Sequence, residues 1–357
     1  MQINLKCMIL ILKDCLILTT KIGVNKMSDA GKKRLFNPYD PNANGVIVKD
    51  KYGFLPLSIW SISKDKGLVE YVKDSIGEGS YSKKKGKKTP QGFQTLSLLN
   101  PTVVHNILMY YTEPEDVVLA PYTSRGVIGF VANLMGRHCF STEIARPYWE
   151  NVLDRAKSVY QKNGRNGYAM EFYLDDAQCL KTIPDNFADL TYFNPPYWNQ
   201  EKYYSTDGQM SDAQSYDDFL KMYSNAIKAK YRCTKYGGFA IANLNDFRQD
   251  YVFYNFHGDT IRLMEEAGFV YHDMIINEIF SRSVTSVGAQ EKRGLKIMAK
   301  SHEYIMIFKK PLKNHVVWGD YNDYRSNYRE NFDCKKQIMD WHNKIDFIPE
   351  HGYSWEW

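Results

Sequence analysis

Apolar and polar positions along the chain alternate in blocks that predict strands and helices in turn. The segment DVVLAPY, residues 116–122, is a short apolar run bounded by prolines, which is typical of a buried strand. The next segment, SRGVIGFVANLMG at 124–136, has apolar residues at helical spacing and ends on a glycine. The alternation continues to about residue 310, so we expect an α/β fold with a mainly parallel sheet and helices on both faces.

The end of this pattern differs from its beginning. Two apolar runs, FVYHDMIINEIF at 269–280 and EYIMIFKK at 303–310, predict strands with no helix between them. We therefore expect these two strands to pair antiparallel as a hairpin with a long insert. Five earlier strands of parallel type followed by such a hairpin is a narrower pattern than a generic nucleotide-binding sheet.

Changes in composition divide the chain into four parts. Residues 1–26 read as an upstream extension or tail, because Met27 opens a polar segment that resembles a natural amino terminus. Residues 27–99 form an amino-terminal segment that can contact nucleic acid, 100–310 the main domain, and 311–357 an aromatic-rich extension. The extension is expected either to pack on the sheet or to make a dimer contact.

Charge and cysteine usage narrow the class of protein only a little. The formal net charge is +5, which permits a nucleic-acid partner without requiring one. Five lysines within residues 83–88 favour either a solvated loop or an arm that contacts phosphates. The six cysteines are scattered and the histidines lack H-x-x-x-H spacing, so we expect reduced thiols, no metal and a cytoplasmic location. The apolar start is too short and too interrupted to span a membrane.

Four consecutive predicted strands end in residues suited to ligand binding. The first ends in the small-residue turn APYTSRG, 120–126, where backbone N–H groups can approach a ligand. The second ends in Glu143, which can accept hydrogen bonds from ribose hydroxyls or simply favour a helix start. The third ends in Asp175 and Asp176, and the fourth in NPPY, 194–197. Ligands bind at this edge of α/β sheets, so four such ends predict one site.

Together these segments resemble the amino-methylating DNA methyltransferases, which use S-adenosylmethionine and carry an [N/D/S]-P-P-[Y/F/W] motif. The resemblance spans roughly 101–310 and is greatest to the phage- and prophage-type enzymes. In those, the motif precedes a YEEF helix, here YDDFLKMY, and an NF-GDTIR helix, here NFHGDTIRLMEEAGF. A KTHE strand corresponds to AKSHEYIMIFKK. The resemblance implies a Rossmann-like methyltransferase sheet.

The resemblance also assigns roles to residues at the strand ends. It implies that catalysis depends on the motif residues, Asn194, Pro195, Pro196 and Tyr197. It implies that S-adenosylmethionine is bound by Pro121, Tyr122, Thr123, Ser124, Gly126, Glu143, Asp176 and Asn194. Asparagine at the first motif position favours the N6 amine of adenine, whereas serine there would favour the N4 amine of cytosine.

The implied mechanism gives the Asn-Pro-Pro-Tyr turn a physical purpose. The Asn194 side-chain oxygen and the Pro195 carbonyl accept the two protons of an exocyclic amine, and its lone pair then turns toward the methyl group. The rigid Pro-Pro step keeps these acceptors in place, which is electrostatic preorganisation. Tyr197, with Trp198, stacks on a base flipped out of the duplex.

One departure from the family pattern leaves alternatives open. The family's first loop reads D-P-F-x-G-x-G, but here Ala120 replaces the acid and Ser124 the first glycine. This change predicts weaker cofactor binding, and Arg125 adds a positive charge near a cationic cofactor. The alternatives are methylation of an RNA or protein glutamine amine, and a methyltransferase fold that binds nucleic acid with little turnover.

A DNA contact surface is predicted in the long insert of the terminal hairpin. Residues 281–300 contain a single acid, Glu291, and the basic residues Arg282, Lys292, Arg293, Lys296 and Lys300. A loop of this length inside a compact domain is usually functional or disordered. We expect the insert to contact phosphates of double-stranded DNA beside the flipped base, a solvated loop being the alternative.

Overall fold

The structure is a computed structural model. It describes residues 54, 56–76, 99–164, 166–200, 203–279, 294, 296–298, 300–312, 332–346 and 348–352. The elements below all lie in the compact unit Leu57–Trp357. The predictions for residues 1–26, for the lysines at 83–88, and for Arg282, Lys292 and Arg293 lie outside the described residues.

Strands and helices alternate along the described chain as the sequence predicts. The strands are β1 (Ile59–Trp60), β2 (Val117–Pro121), β3 (His138–Glu143), β4 (Met170–Leu174), β5 (Ala188–Phe193), β6 (Thr234–Leu244), β7 (Phe247–Gln249), β8 (Val252–Tyr254), β9 (Val270–Glu278), β10 (His302–Lys309) and β11 (His351–Gly352). The helices are α1 (Lys66–Ile76), α2 (Pro101–Tyr111), α3 (Val127–Leu134), α4 (Arg146–Asn163), α5 (Tyr216–Cys233), α6 (Phe256–Glu266) and α7 (Cys334–His342), with a 3₁₀ turn at Met210–Asp212.

Nine of the described strands form one mixed sheet in the order β1-β9-β10-β6-β5-β2-β3-β4-β11. The pairs from β6 through β5, β2 and β3 to β4 are parallel. Strand β10 lies between β6 and β9 and is antiparallel to both. The predicted Rossmann-like sheet with an antiparallel terminal hairpin is confirmed.

Apolar side chains cover the sheet on both faces. Successive side chains of a strand point to opposite faces, and β4 shows the result. Phe172 packs with Phe130 of α3 and Trp149 of α4, whereas Tyr173 packs in a cluster that includes Ile338 of α7. Helices α5 and α6 contribute to a third cluster against β5, β6 and β10. The prediction of helices on both faces is therefore confirmed.

Two local features differ from the sequence prediction. The apolar run FAIANLND predicts a strand from Phe239, but β6 begins at Thr234, directly after α5, because Gly237 and Gly238 continue the strand and do not end it. A Cβ at Gly238 would lie 2.8 Å from the Asp189 carbonyl oxygen, so only glycine fits this close strand approach. The second difference is the hairpin β7–β8, since the segment FYNFHGDTIRLMEEAG predicts a helix from residue 253, whereas residues 253–254 belong to β8.

The described part of the carboxyl-terminal extension packs on the sheet. Strand β11 pairs antiparallel with β4 at the sheet's edge. The Trp341 indole N–H donates to the Lys181 carbonyl at 2.7 Å, and Ile338 is fully buried. Of the two expectations for this extension, packing on the sheet is the one that these contacts support.

Candidate active site

One cavity of about 780 Å³ opens along the sheet edge where the parallel strands end. This volume is within the usual range for small-molecule sites, roughly 300–1,000 Å³. The predicted site residues that line it are Tyr122, Thr123, Ser124, Gly126, Glu143, Asp176, Asn194, Pro195, Pro196 and Tyr197. The fold therefore brings all four predicted strand ends to one cavity, and Pro121 alone of the predicted cofactor residues is absent from its lining.

The first loop is held against β3 by hydrogen bonds. The Thr123 backbone N–H and hydroxyl both donate to the Thr142 carbonyl, at 2.9 Å each. Gly126 begins α3 with φ of 72°, and a Cβ there would lie 2.6 Å from a Val152 methyl carbon, so the position requires glycine. No side chain caps this helix start. Its free backbone N–H groups make the loop suited to a polar ligand.

Glu143 lies at the centre of the predicted cofactor region. Its carboxylate accepts from the Ser124 N–H at 2.9 Å and from the Ala145 N–H at 3.1 Å. Burial raises the pKa of Glu143, and these backbone donors oppose that shift. Each carboxylate oxygen can accept a further hydrogen bond. Glu143 therefore both fixes the first loop and keeps acceptor capacity for ribose hydroxyls.

The two acids after β4 have different surroundings. Asp175 accepts from the Thr182 N–H and hydroxyl, at 2.8 and 2.7 Å, and so braces the following turn. Asp176 accepts from the Gln178 N–H at 2.8 Å and lies close to Gly208 across the cavity. Burial raises the pKa of both carboxyls. Both acids line the cavity, and the role of Asp176 as a cofactor contact stays a prediction.

The Asn194 side chain has an unusual hydrogen-bonding state. Its side-chain oxygen is buried and has no hydrogen-bond donor among the described residues, although the residue lines the cavity. Buried acceptors are normally paired, and leaving one unpaired costs about 1–3 kcal/mol. Pro195 and Pro196, both buried, follow it directly. The turn therefore holds in place a buried acceptor for which the described residues supply no hydrogen-bond donor.

Tyr197 and Trp198 occupy different positions relative to the cavity. The Tyr197 hydroxyl accepts from the Asn245 N–H at 2.8 Å, and its ring packs edge-on against Phe247 and Phe256. Trp198 is outside the cavity lining, and its indole N–H donates to the Ala213 carbonyl. The position of Tyr197 suits a base in the cavity, whereas that of Trp198 does not support stacking there.

The departure at Ala120 is accompanied by a buried cation that sequence reasoning missed. Ala120 lines the cavity with only 2% of its surface exposed. Below the first loop, the Lys230 ammonium donates to the Tyr122 hydroxyl at 3.0 Å and lies 4.4 Å from its ring centre. Burial lowers the pKa of Lys230 to about 7. This lysine anchors Tyr122, whose φ of 63° lies in the left-handed region.

The cavity also contains polar residues that sequence reasoning did not select. Asn245 follows β6, Asn277 lies near the end of β9, and Glu303 lies near the start of β10. They are polar residues that interrupt or directly follow apolar strands. A polar residue in such a position is the signal in the sequence that could have identified them.

Of the predicted phosphate-contacting residues, the structure describes only Lys296. Lys296 is exposed and is not part of the cavity lining. Lys300, at the end of the insert, pairs with Asp246 at 3.2 Å. The role of the insert in DNA binding stays a prediction.

The described part of the chain offers neither a metal site nor a membrane span. No group of three or more His, Cys, Asp or Glu side chains there could hold a metal ion. Cys139, Cys179, Cys233 and Cys334 are free thiols. None of the helices in these residues has the length and apolar character needed to cross a bilayer.

Solved protein structures resemble this one at low sequence identity. An S-adenosylmethionine-dependent methyltransferase from Methanosarcina mazei is 14% identical with a TM-score of 0.41, over 61% of this chain and 100% of that one. TrmN from Thermus thermophilus is 15% identical with a TM-score of 0.38, over 59% and 49%. A candidate DNA modification methylase, also from Thermus thermophilus, is 18% identical with a TM-score of 0.30, over 44% and 63%. Likeness at this level carries no argument about substrate.

Comparison at the level of sequence families is more specific. No curated protein matches the chain. Residues 188–350 match the N6/N4 methyltransferase family model, described as DNA methylase. The matched region begins at β5 and includes the Asn-Pro-Pro-Tyr turn. Over these residues the chain is similar to the amino-methylating DNA methylases, and S-adenosylmethionine is the cofactor that this similarity indicates.

Proposed function

We propose that the protein transfers a methyl group from S-adenosylmethionine to the N6 amine of adenine in DNA. The unpaired, buried side-chain oxygen of Asn194 is the observation that carries this proposal. Within the described residues it is an acceptor without a donor, in a cavity whose other end holds two acids suited to a nucleoside. The family match to DNA methylases supports DNA as the substrate.

Asn194 acts on the nucleophile. An exocyclic base amine is a poor nucleophile because its lone pair is delocalised into the ring. When Asn194 and the Pro195 carbonyl accept the two amine protons, the nitrogen becomes more tetrahedral and its lone pair is freed. An acceptor sealed from bulk water strengthens this effect, since no water competes for the protons.

The remaining cavity residues bind and orient. S-Adenosylmethionine supplies an electrophilic methyl group on a sulfonium. Glu143 is placed to accept from ribose hydroxyls and Asp176 from an adenine amine, while the free N–H groups at the start of α3 face the first loop. Tyr197 offers a ring beside the target base.

Access to an amine inside a duplex requires base flipping. We propose double-stranded DNA as the substrate and the cytoplasm as the location, following the resemblance to phage-type DNA methylases. The exposed Lys296 and the basic residues around it in sequence are proposed to contact phosphates. The asparagine of the motif is the basis for choosing adenine over cytosine.

The experiment is incubation of the purified protein with methyl-labelled S-adenosylmethionine and unmethylated DNA. Nucleoside mass spectrometry then identifies the product. We expect N6-methyladenine. Detection of N4-methylcytosine would overturn the choice of base but leave the amine mechanism intact.

Two further outcomes separate the remaining alternatives. Label in RNA or in a glutamine-containing protein, with none in DNA, would overturn DNA as the substrate. Binding of DNA without any transfer would favour a methyltransferase fold that binds nucleic acid. The loop with Ala120 and Arg125 is the feature that keeps this last alternative worth testing.

A further inference from the structure

The cavity extends beyond Asn194 into a half that the cofactor does not need. The cofactor residues follow β2, β3 and β4, which lie on one side of β5 in the sheet. On the other side, β6, β10 and β9 contribute Asn245, Glu303 and Asn277 to the same cavity. Asn194, at the end of β5, lies between the two halves. This second half is where the ring of a target base would extend from its amine.

The antiparallel position of β10 explains why these side chains meet. Because β10 runs opposite to β6, the start of β10 lies at the edge where β6 ends. In the ladder, Glu303 is the direct partner of Asn277 on β9. Directly paired residues have side chains on the same face. Asn243 and Glu303 therefore belong to one polar cluster, although they are 60 residues apart along the chain.

Hydrogen bonds fix the orientation of this cluster. The Asn277 side-chain N–H donates to Oε1 of Glu303 at 2.7 Å. The Asn243 amide also donates to Oε1, at 3.5 Å. Both bonds converge on one carboxyl oxygen, which leaves Oε2 as the oxygen available to a ligand. The Asn277 side-chain oxygen is buried and has no donor among the described residues, with 4% of the residue exposed.

Burial acts against the charged form of the Glu303 carboxyl. Burial raises the pKa of Glu303, and the two asparagine donors only partly oppose it. A neutral carboxyl offers one O–H donor. With Oε1 occupied by Asn277, that donor is placed on Oε2.

We propose that Glu303, positioned by Asn277, donates a hydrogen bond to the ring nitrogen beside the methylated amine of the target base. This inference rests on the proposed function, since it assigns the base-reading residue of the same site. Adenine carries an unprotonated N1 beside its amine, and cytosine an unprotonated N3. Guanine and thymine carry N–H groups at the corresponding ring positions. A donor at Glu303 therefore suits adenine and cytosine, and it is opposed by the N1–H of guanine and the N3–H of thymine.

The test compares Glu303→Gln with Glu303→Ala on a duplex that contains the site methylated by the wild-type protein. Glutamine keeps a neutral donor of the same length, so we expect kcat/KM within about threefold of wild type. Alanine removes the donor, and we expect a loss of about 10- to 100-fold, the range for one buried hydrogen bond. Glu265→Gln, an exposed acid on α6, is the matched control.

A substrate change distinguishes base contact from a merely structural role. In a duplex with 1-deazaadenine at the target, N1 is replaced by C–H and the acceptor is removed. We expect wild type to lose about as much as Glu303→Ala loses on adenine, and Glu303→Ala to be insensitive to the change. Equal sensitivity of both proteins to 1-deazaadenine would overturn the proposal.

Failure of this inference is distinguishable from failure of the proposed function. If wild type methylates adenine and its rate is unchanged by 1-deazaadenine, only the role of Glu303 is wrong. If the product is N4-methylcytosine, 3-deazacytosine replaces 1-deazaadenine in the same comparison and tests Glu303 there. If wild type methylates no DNA at all, both proposals are overturned.

Discussion

Three buried acceptors at one edge of the central sheet and three buried cations at the other differ in their hydrogen bonding. At the carboxyl edge of the parallel strands, the side-chain oxygens of Asn194, Asn245 and Asn277 are buried without donors among the described residues. At the opposite edge, the Lys310 ammonium donates to three acceptors, Asn186 Oδ1 and the carbonyls of Tyr231 and Thr234. The acceptors at the carboxyl edge lack donors among the described residues, whereas the buried ammonium at the amino edge has three hydrogen-bond acceptors.

Other buried charges at the amino edge follow the same rule. Arg137 donates to the carbonyls of Met135 and Thr112 and to the Thr112 hydroxyl. Lys235 lies 2.9 Å from Asp189, with side-chain exposures of 6% and 14%. Paired in this way, buried charges are tolerated, whereas removing one partner leaves an uncompensated group.

This difference in hydrogen bonding distinguishes residues that stabilise the fold from residues that are suited to bind a ligand. An unpaired buried acceptor lowers stability, so its presence needs an explanation outside the folded chain. A substrate that supplies the missing protons provides one. The comparison therefore predicts that substitutions at the amino edge change stability, and that substitutions at the carboxyl edge change binding and turnover.

The largest effect on stability is expected for Lys310→Met. Methionine fills similar space but leaves three acceptors, one of them fully buried, without their donor, which we expect to cost about 3–5 kcal/mol. Urea unfolding followed by circular dichroism measures this cost. Lys228→Met, an exposed position on α5, is the control and should unfold like wild type. A Lys310→Met protein as stable as wild type would remove the contrast between the edges.

A smaller effect, on binding, is expected for Glu143→Ala. The carboxylate accepts from Ser124 and is placed to accept from ribose hydroxyls, so cofactor affinity should fall by about 1.5–3 kcal/mol per bond removed. Calorimetric titration with S-adenosylmethionine measures it, with Glu150→Ala on the exposed face of α4 as the control. Unchanged affinity would reduce Glu143 to a residue that only holds the first loop.

The smallest effect is expected for substitutions in the hairpin insert, residues 281–300. They test whether the surface beside the cavity binds DNA. Replacing Lys292, Arg293 and Lys296 by alanine should weaken DNA binding across sequences. The slope of log K against log salt should fall by roughly one unit for each phosphate that the protein no longer binds. Fluorescence anisotropy at several salt concentrations measures both. An unchanged slope would place the DNA contact elsewhere, and cofactor affinity should stay constant throughout.

Local chemistry explains why much of this architecture was predictable. Periodicity identified β2 to β5, β9 and β10, because apolar runs bounded by prolines or glycines carry their own signal. The Asn-Pro-Pro-Tyr turn was equally local, since the two prolines fix it within four residues. All four strand ends that were selected from the sequence lie at the cavity, although the side chain of Pro121 is not part of its lining.

What could not be predicted depends on contacts between distant segments. Hairpin β7–β8 turns through Asp250 and Tyr251, both with positive φ, and neither residue type signals such a turn strongly. Glu303 meets Asn277 only because β10 inserts between β6 and β9. Lys230 lies in a helix with an ordinary amphipathic pattern, and its burial below Tyr122 follows from packing that no local pattern records.

In the proposed mechanism, the side-chain oxygen of Asn194 is an acceptor kept for the substrate amine. Asn194→Ala is the most direct test, measured as methyl transfer to DNA at saturating cofactor and as urea unfolding of the same preparation. We expect transfer to fall by about 10²–10³-fold, the effect of losing one preorganised contact. Stability should not fall, because the removed oxygen has no donor in the described part of the folded chain, and cofactor affinity should stay roughly that of wild type. Asn225→Ala, exposed on α5, is the matched control. Near-normal transfer by Asn194→Ala, or a loss of transfer explained by a loss of stability, would contradict this account.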